Sequence, residues 1–368
     1  MALALYRKYR PKKVEDLVGQ EELVMVLKNA ARRDTLAHAY LLYGPRGSGK
    51  TTTARLIAKL VNCETRAKDA AFRKKGEPCN ECRPCEEIDS GRALDVIEID
   101  AASNRGIDEI RNLKEGIKLS PTSYRFKVFI IDEVHQLTKD AFNALLKTLE
   151  EPPAHAVFVL ATTEYEKVPA TISSRTQRFH FRKVSIAEIV KKLKSIVGAE
   201  KLKITDDALE LIASASEGSF RDAESLLDQI ASLEDEITSE RIETLIGKIG
   251  FRRTAELADL MLRGKKKEAL QYLASIQESG FNVVELTKEL IHYLRRALTL
   301  HENKDLGALF KNELTDKEFK ELEKHSALVD PTRHIPLITA LIRAYSEMRY
   351  SPFASIPLEV VIMEHLRS

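Results

Sequence analysis

The run Gly44-Pro45-Arg46-Gly47-Ser48-Gly49-Lys50-Thr51 matches the phosphate-loop pattern G-x-x-x-x-G-K-[ST] at every fixed position. Its glycines let the backbone take positive φ and turn N–H groups toward phosphate oxygens. The N-terminus of a following helix adds partial positive charge at the same point. Lys50 would reach the β- and γ-phosphates, the Thr51 hydroxyl would ligate Mg²⁺, and Thr52 lies beside it. A plain glycine-rich turn is the bland alternative, and the flanking pattern argues against it. His38 to Tyr43 reads as a buried strand, and Thr51 to Leu60 as a helix with Leu56, Ile57 and Leu60 on one face.

Other residues can complete such a site. Lys127 to Ile131 is an apolar run ending in Asp132-Glu133, the Walker B form, with carboxylates where ligands bind in parallel sheets. Asp132 would hold the outer shell of Mg²⁺, and Glu133 would orient or deprotonate the attacking water. Val157 to Ala161 is another buried strand, ending in Thr162-Thr163. A hydroxyl there would hold the water or touch the γ-phosphate, unless it simply caps a helix. Tyr6-Arg7-Lys8-Tyr9-Arg10-Pro11 is either a solvated basic tail or an arm over an adenine ring, with Tyr6 and Arg10 as its candidate contacts; the Val18-Gly19-Gln20 turn after it resembles the box that lines the base in AAA+ ATPases.

All four cysteines fall in one stretch, Cys63 followed by Cys79-x-x-Cys82-x-x-Cys85. In a cytosolic chain such spacing reads as a metal site rather than a disulfide framework. Four thiolates satisfy a closed tetrahedral structural Zn²⁺ site. An iron–sulfur cluster fits the spacing too, but the charged segment Arg73-Lys74-Lys75-Gly76-Glu77 makes a poor shell for one. Zinc in a structural role is the expectation.

The 368 residues suffice for two or three domains, and 43% hydrophobic content supports buried cores. With 58 basic and 56 acidic residues the net charge is +2, so any nucleic-acid contact must come from local patches. No run approaches the roughly 18 apolar residues of a membrane helix and no secretory signal opens the chain, so a cytoplasmic, membrane-free protein is expected. Helices are expected near 21–32, 107–119, 139–150, 186–197, 206–216, 219–233 and 239–246, with strands at 96–100 and 178–182. Asn104-Arg105 and Thr138 precede helices whose first amides would take a DNA phosphate, although ordinary capping explains them equally well.

The succession Tyr-Arg-Lys-Tyr-Arg-Pro, Val-Gly-Gln, phosphate loop, four-cysteine insert, Ile-Asp-Ala-Ala-Ser, Asp-Glu-Val-His and Leu-Lys-Thr-Leu-Glu-Glu-Pro-Pro resembles the bacterial DNA polymerase III clamp-loader gamma/tau subunits, which are AAA+ ATPases. The likeness is dense to about residue 230 and weaker beyond. It implies an α/β P-loop AAA+ domain over 1–182 with a zinc module at about 63–90. A helical lid over 183–248 and a helical collar over 249–368 would follow. It makes Thr163 the sensor-1 residue, with Thr162 the neighbouring candidate, and Arg221 the sensor-2 arginine of the lid. Arg175 would be a finger completing the adjacent subunit's ATP site, although the family's S-R-C motif reads Ser174-Arg175-Thr176 here. The implied partners are delta and delta-prime subunits and further copies of this chain in a pentamer, the ring-shaped beta clamp, and primed DNA. DNA-triggered ATP hydrolysis would then release the closed clamp. Another AAA+ machine, such as a hexameric branch-migration helicase, is separated by the zinc insert and by a helical C-terminal third where a winged helix would be expected. A non-catalytic scaffold is opposed by intact Lys50, Asp132 and Glu133.

Overall fold

The computed structural model describes residues 3–103, 115–231, 237, 242, 250–310 and 314–366. They form two units, one of residues 1–184 with 218–222, the other of 185–217 with 223–368. The helix expected over 239–246 and most of that over 107–119 lie outside the described residues, as do Asn104 and Arg105. No helix among the described residues is long and apolar enough to cross a membrane.

The first unit is a parallel sheet of β1 (Ala39–Tyr43), β2 (Val96–Asp100), β3 (Lys127–Asp132), β4 (Ala156–Thr162) and β5 (Gln177–His180), in the order β2-β3-β4-β1-β5. Alternation along each strand divides the core in two. Tyr40, Leu42, Val128, Ile130, Val157 and Val159 join Leu27, Ile57 and Leu60 on one face. Ala39, Leu41, Phe129, Ile131, Phe158 and Leu160 join Phe142, Leu145 and Leu149 on the other. Burial on both faces is why β3 and β4 read as continuous apolar runs. β2 and β5 are the edges, so all their residues except Phe179 are half-buried or exposed.

Four helices of this unit matter for the site. α1 (Glu21–Arg33) ends on Asp34 in the left-handed conformation, and α2 (Lys50–Asn62) runs directly out of the phosphate loop. α3 (Arg83–Asp89) starts at the cysteines, and α4 (Lys139–Glu150) is capped by Thr138, whose Oγ1 accepts the Ala141 N–H at 3.3 Å.

The second unit is helical: α5 (Ile186–Glu200), α6 (Asp206–Ala215), most of α7 (Phe220–Ala231), α8 (Phe251–Leu262), α9 (Lys266–Glu278), α10 (Val283–Glu302), α11 (Asp316–Ser326), α12 (Pro331–Glu347) and α13 (Ile356–His365). Ser185 with Glu188, and Thr315 with Glu318, close reciprocal capping boxes that fix where α5 and α11 begin. From α8 onward, Leu257, Met261, Leu273, Leu286, Leu290, Leu294, Leu341 and Ile362 share one core.

Candidate active site

The phosphate loop joins β1 to α2, so its amides lie at the C-terminal edge of the sheet, where parallel sheets bind ligands. Gly44 has φ 144°, and a Cβ there would sit 2.3 Å from the Phe181 carbonyl oxygen. Gly47 has φ 71°, and a Cβ there would fall 1.8 Å from Ser219 Oγ. Both positions therefore require glycine twice over, by backbone conformation and by space. Gly47→Ala is expected to destabilise the chain by about 1–3 kcal/mol, measured as a lowered midpoint of chemical unfolding. An unchanged midpoint would mean that the loop and Ser219 do not touch.

The Lys50 ammonium donates 2.8 Å hydrogen bonds to the carbonyls of Gly44 and Pro45, folding back over its own loop. Burial pushes its pKa below the ordinary lysine value, and the charges of Glu133 and Asp132 oppose that shift. Ser48 Oγ donates to the Pro45 carbonyl at 2.8 Å, bracing the turn, while Pro45 and Arg46 are exposed. Thr51 Oγ1 donates to Asp132 Oδ2 at 2.7 Å, joining the start of α2 to the end of β3, and Thr52 is half-buried beside it.

β4 lies between β1 and β3, so its C-terminal hydroxyls fall between the loop and the acids. Thr163 donates its Oγ1–H at 3.0 Å and its backbone N–H at 3.2 Å to Glu133 Oε2. Thr162 is fully buried and serves other partners: its Oγ1 accepts the Glu164 N–H at 3.0 Å and meets His135 Nδ1 at 2.9 Å. Thr163 is thus the hydroxyl in contact with the acid pair. His135, which sequence reading passed over, lies 3.4 Å from Glu133 and 3.0 Å from Glu164. Its place in Asp-Glu-Val-His was the available signal. Glu133 itself stands at φ 48°, a left-handed turn that is strained for a non-glycine residue.

The N-terminal segment meets the loop at Leu17. The Arg221 guanidinium lies 5.4 Å from the Tyr6 ring centroid, a cation–π pair. Arg10 is half-buried in the field of Arg55 and Glu98. Val18 is half-buried, whereas its neighbour Leu17 is buried and lies 3.9 Å from the Cβ position of Gly49. Gln20 exchanges two 3.1 Å hydrogen bonds with the backbone of Arg182. Leu17 and Ser219 were not singled out in the sequence. Leu17 reads like any core leucine, and Ser219 like an ordinary residue at the start of the helix expected over 219–233.

Arg175 is held elsewhere. It pairs with Glu150 at 2.6 Å and donates to the Thr171 carbonyl at 2.8 Å and to Ser174 Oγ at 3.2 Å. Thr176, standing where the resembling motif has cysteine, donates to the carbonyls of Ile172 and Ser173. Thr138 spends its side chain on capping α4.

The four cysteine sulfurs lie within 4.8 Å of one another. A tetrahedral zinc–thiolate centre has Zn–S near 2.3 Å and so needs sulfurs about 3.8 Å apart. The donor set and spacing fit such an ion. Cys63 Sγ accepts the N–H groups of Arg66 and Cys79 at 3.4 Å, and Cys79 Sγ accepts that of Cys82 at 3.2 Å. Hydrogen bonding from the Cys85 thiol, helped by the Arg66 and Cys79 amides, lowers the Cys63 pKa to about 5, and the same bond pushes the Cys85 thiol up, so the pair shares one proton.

A parallel sheet with β4 inserted between the phosphate-loop strand and the acid-bearing strand, helices on both faces and a helical unit after it define a P-loop domain of the AAA+ class. Family models match along the chain: DNA polymerase III, delta subunit over 19–185, the clamp loader subunit ATPase lid domain over 188–233, and DNA polymerase III subunits gamma and tau domain III over 237–367. The last match extends the likeness through the C-terminal third, where the sequence motifs thin out. DNA polymerase III subunit gamma of Buchnera aphidicola subsp. Acyrthosiphon pisum is 34% identical over 98% of this chain and 97% of its own length. The chain belongs to the DNA polymerase III gamma/tau subunit family. The tau subunit of Bacillus subtilis is 41% identical over 98% of this chain, which spans 62% of that relative's length. Among solved structures, the Thermotoga maritima RuvB Holliday junction branch migration motor aligns over 69% of this chain and 79% of its own, at 20% identity and a TM-score of 0.47.

Proposed function

We propose that this chain is an ATP-hydrolysing motor subunit of a replicative clamp loader, binding ATP with Mg²⁺ and using its hydrolysis to place the sliding clamp on primed DNA. The observation that carries the reading is the constellation of Lys50, Thr51, Asp132, Glu133 and Thr163 at one edge of the sheet, in a chain of this family. Its partners would be delta and delta-prime subunits, further copies of itself in a pentamer, the beta clamp and primed DNA, in the cytoplasm.

The loop amides and Lys50 would bind the phosphates, the ammonium exchanging two neutral carbonyls for anionic oxygens. Thr51, backed by Asp132 for the outer shell, would hold Mg²⁺, which when bound would supply positive charge against the β- and γ-phosphates. Glu133, aimed by Thr163, would accept a proton from water as its oxygen bonds to the γ-phosphorus and the bond to the ADP oxygen breaks. Arg221, beside Tyr6, would contact the γ-phosphate from the lid side. Arg175 would serve the neighbouring subunit's site.

Steady-state ATP hydrolysis tests this. A large rise when the other loader subunits, clamp and primed DNA are all present, lost on Lys50→Ala, is the expected result. High hydrolysis by the chain alone, indifferent to clamp, would sink the reading and favour another AAA+ machine.

Cys63, Cys79, Cys82 and Cys85 would hold a structural Zn²⁺. Native mass spectrometry is expected to find about one zinc per chain. Cys85→Ser, at a buried ligand, should lower that occupancy and the melting temperature together.

A further inference from the structure

We infer that the cysteine module is a bracket holding the nucleotide-side segment Lys12–Leu17, with Glu77 as its positioning residue; the inference rests on the nucleotide site proposed above. Glu77 stands two residues before Cys79 and is 6% exposed. Its Oε2 accepts the Val14 N–H at 2.7 Å, its Oε1 accepts the Glu15 N–H at 3.1 Å, and Lys28 Nζ pairs with it at 2.9 Å. Val14 opens the single turn Val14–Asp16, and the next residue, Leu17, is the one packed at Gly49 of the phosphate loop.

A second carboxylate, on the far side of the cysteines, holds the lysine that bonds the same segment. Asp89, at the end of α3, puts both oxygens 2.9 Å from Lys59 Nζ, and that ammonium also donates to the Lys12 carbonyl at 3.2 Å. Lys59 is fully buried on α2, the helix that leaves the phosphate loop. The corner carrying Glu77 is wedged against α1, since a Cβ on Gly76 would sit 2.6 Å from the Lys28 carbonyl oxygen.

The loop between the two carboxylates is organised by its sulfurs. Cys79 donates its N–H to Cys63 Sγ, and Glu81 and Cys82 donate theirs to Cys79 Sγ. An ion binding the four thiolates therefore fixes the loop, the loop fixes Glu77, and Glu77 fixes the turn ahead of Leu17. Metal occupancy and nucleotide affinity are then linked, and linkage is reciprocal.

The test measures binding of mant-ATP with Mg²⁺ to the zinc-loaded 368-residue chain. Glu77→Gln removes the negative charge and faces the two backbone donors with an amide that has one acceptor atom. It should keep its zinc by native mass spectrometry, speed amide exchange at Val14 and Glu15, and raise the Kd about tenfold. Stripping zinc and restoring Mg²⁺ should weaken wild type by a similar factor and E77Q by little more, because both act through one contact. Asp89→Asn, which leaves the Glu77 cap intact, should weaken binding about threefold. E77Q and D89N that retain zinc and bind within about twofold of wild type would overturn the bracket. A wild-type chain that fails to bind mant-ATP would instead overturn the nucleotide site on which it rests.

Discussion

Glu133→Gln is expected to lower ATP hydrolysis by about 10²–10⁴ while leaving mant-ATP affinity within a factor of about three. Glutamine is nearly isosteric and keeps a carbonyl oxygen for the two Thr163 donors that now hold Glu133 Oε2. What it loses is the ability to take a proton from water, an interaction made only as the reaction proceeds. Lys50→Ala acts on the other side of that division. Under the proposed reading its ammonium would meet phosphate in both the bound and reacting complexes, so affinity and rate should fall together. Stimulated kcat and equilibrium mant-ATP binding, measured on both variants, separate the two roles. An E133Q chain that still hydrolyses ATP at the wild-type rate would remove Glu133 from the chemistry and return the question to Asp132.

Arg175→Ala is expected to cost about 10³ in the hydrolysis rate of the assembled, DNA-stimulated loader, with the chain's own nucleotide affinity unchanged. In this chain the guanidinium is committed to Glu150, the Thr171 carbonyl and Ser174. That ion pair is 35% exposed at Arg175 and 45% at Glu150, so surrendering it to a neighbouring subunit's phosphate would cost only about 0–1 kcal/mol. Glu150→Gln should accordingly leave the stimulated rate intact or raise it slightly. The discriminating measurement compares R175A alone with R175A in the complete assembly. An equal loss in both would mean that Arg175 acts within its own chain, and the trans role would fail.

The residues that do the proposed chemistry were legible because their chemistry demands contiguity. A phosphate loop needs its glycines, lysine and hydroxyl within eight positions between strand and helix, and Gly44 to Thr51 supply them. Asp132-Glu133 end an apolar run because a strand buried on both faces must deliver them to the sheet edge. The cysteine spacing was equally plain, since three ligands on neighbouring turns can close on one ion with only Cys63 brought from a distance. The helix start after Thr138 followed the same logic, since its side chain bonds an amide three positions on.

What the letters left open was decided by pairings between distant residues. The residue types of Thr162 and Thr163 leave open which hydroxyl meets the acids; the fold buries one at the end of β4 beside His135 and turns the next to Glu133. Glu77 sits in a charged run that reads as solvated surface, yet it is buried against amides more than sixty positions away. Arg175 looks like an isolated surface charge until α4 brings Glu150 to it. Ser219 reads as a cap, and only the fold sets it against Gly47. Local spacing thus determined which groups this protein carries, because caps, glycine turns and metal ligands act over a few residues. The strand order and two-faced packing determined which groups meet, because a buried polar atom must find its partner wherever the chain returns to it.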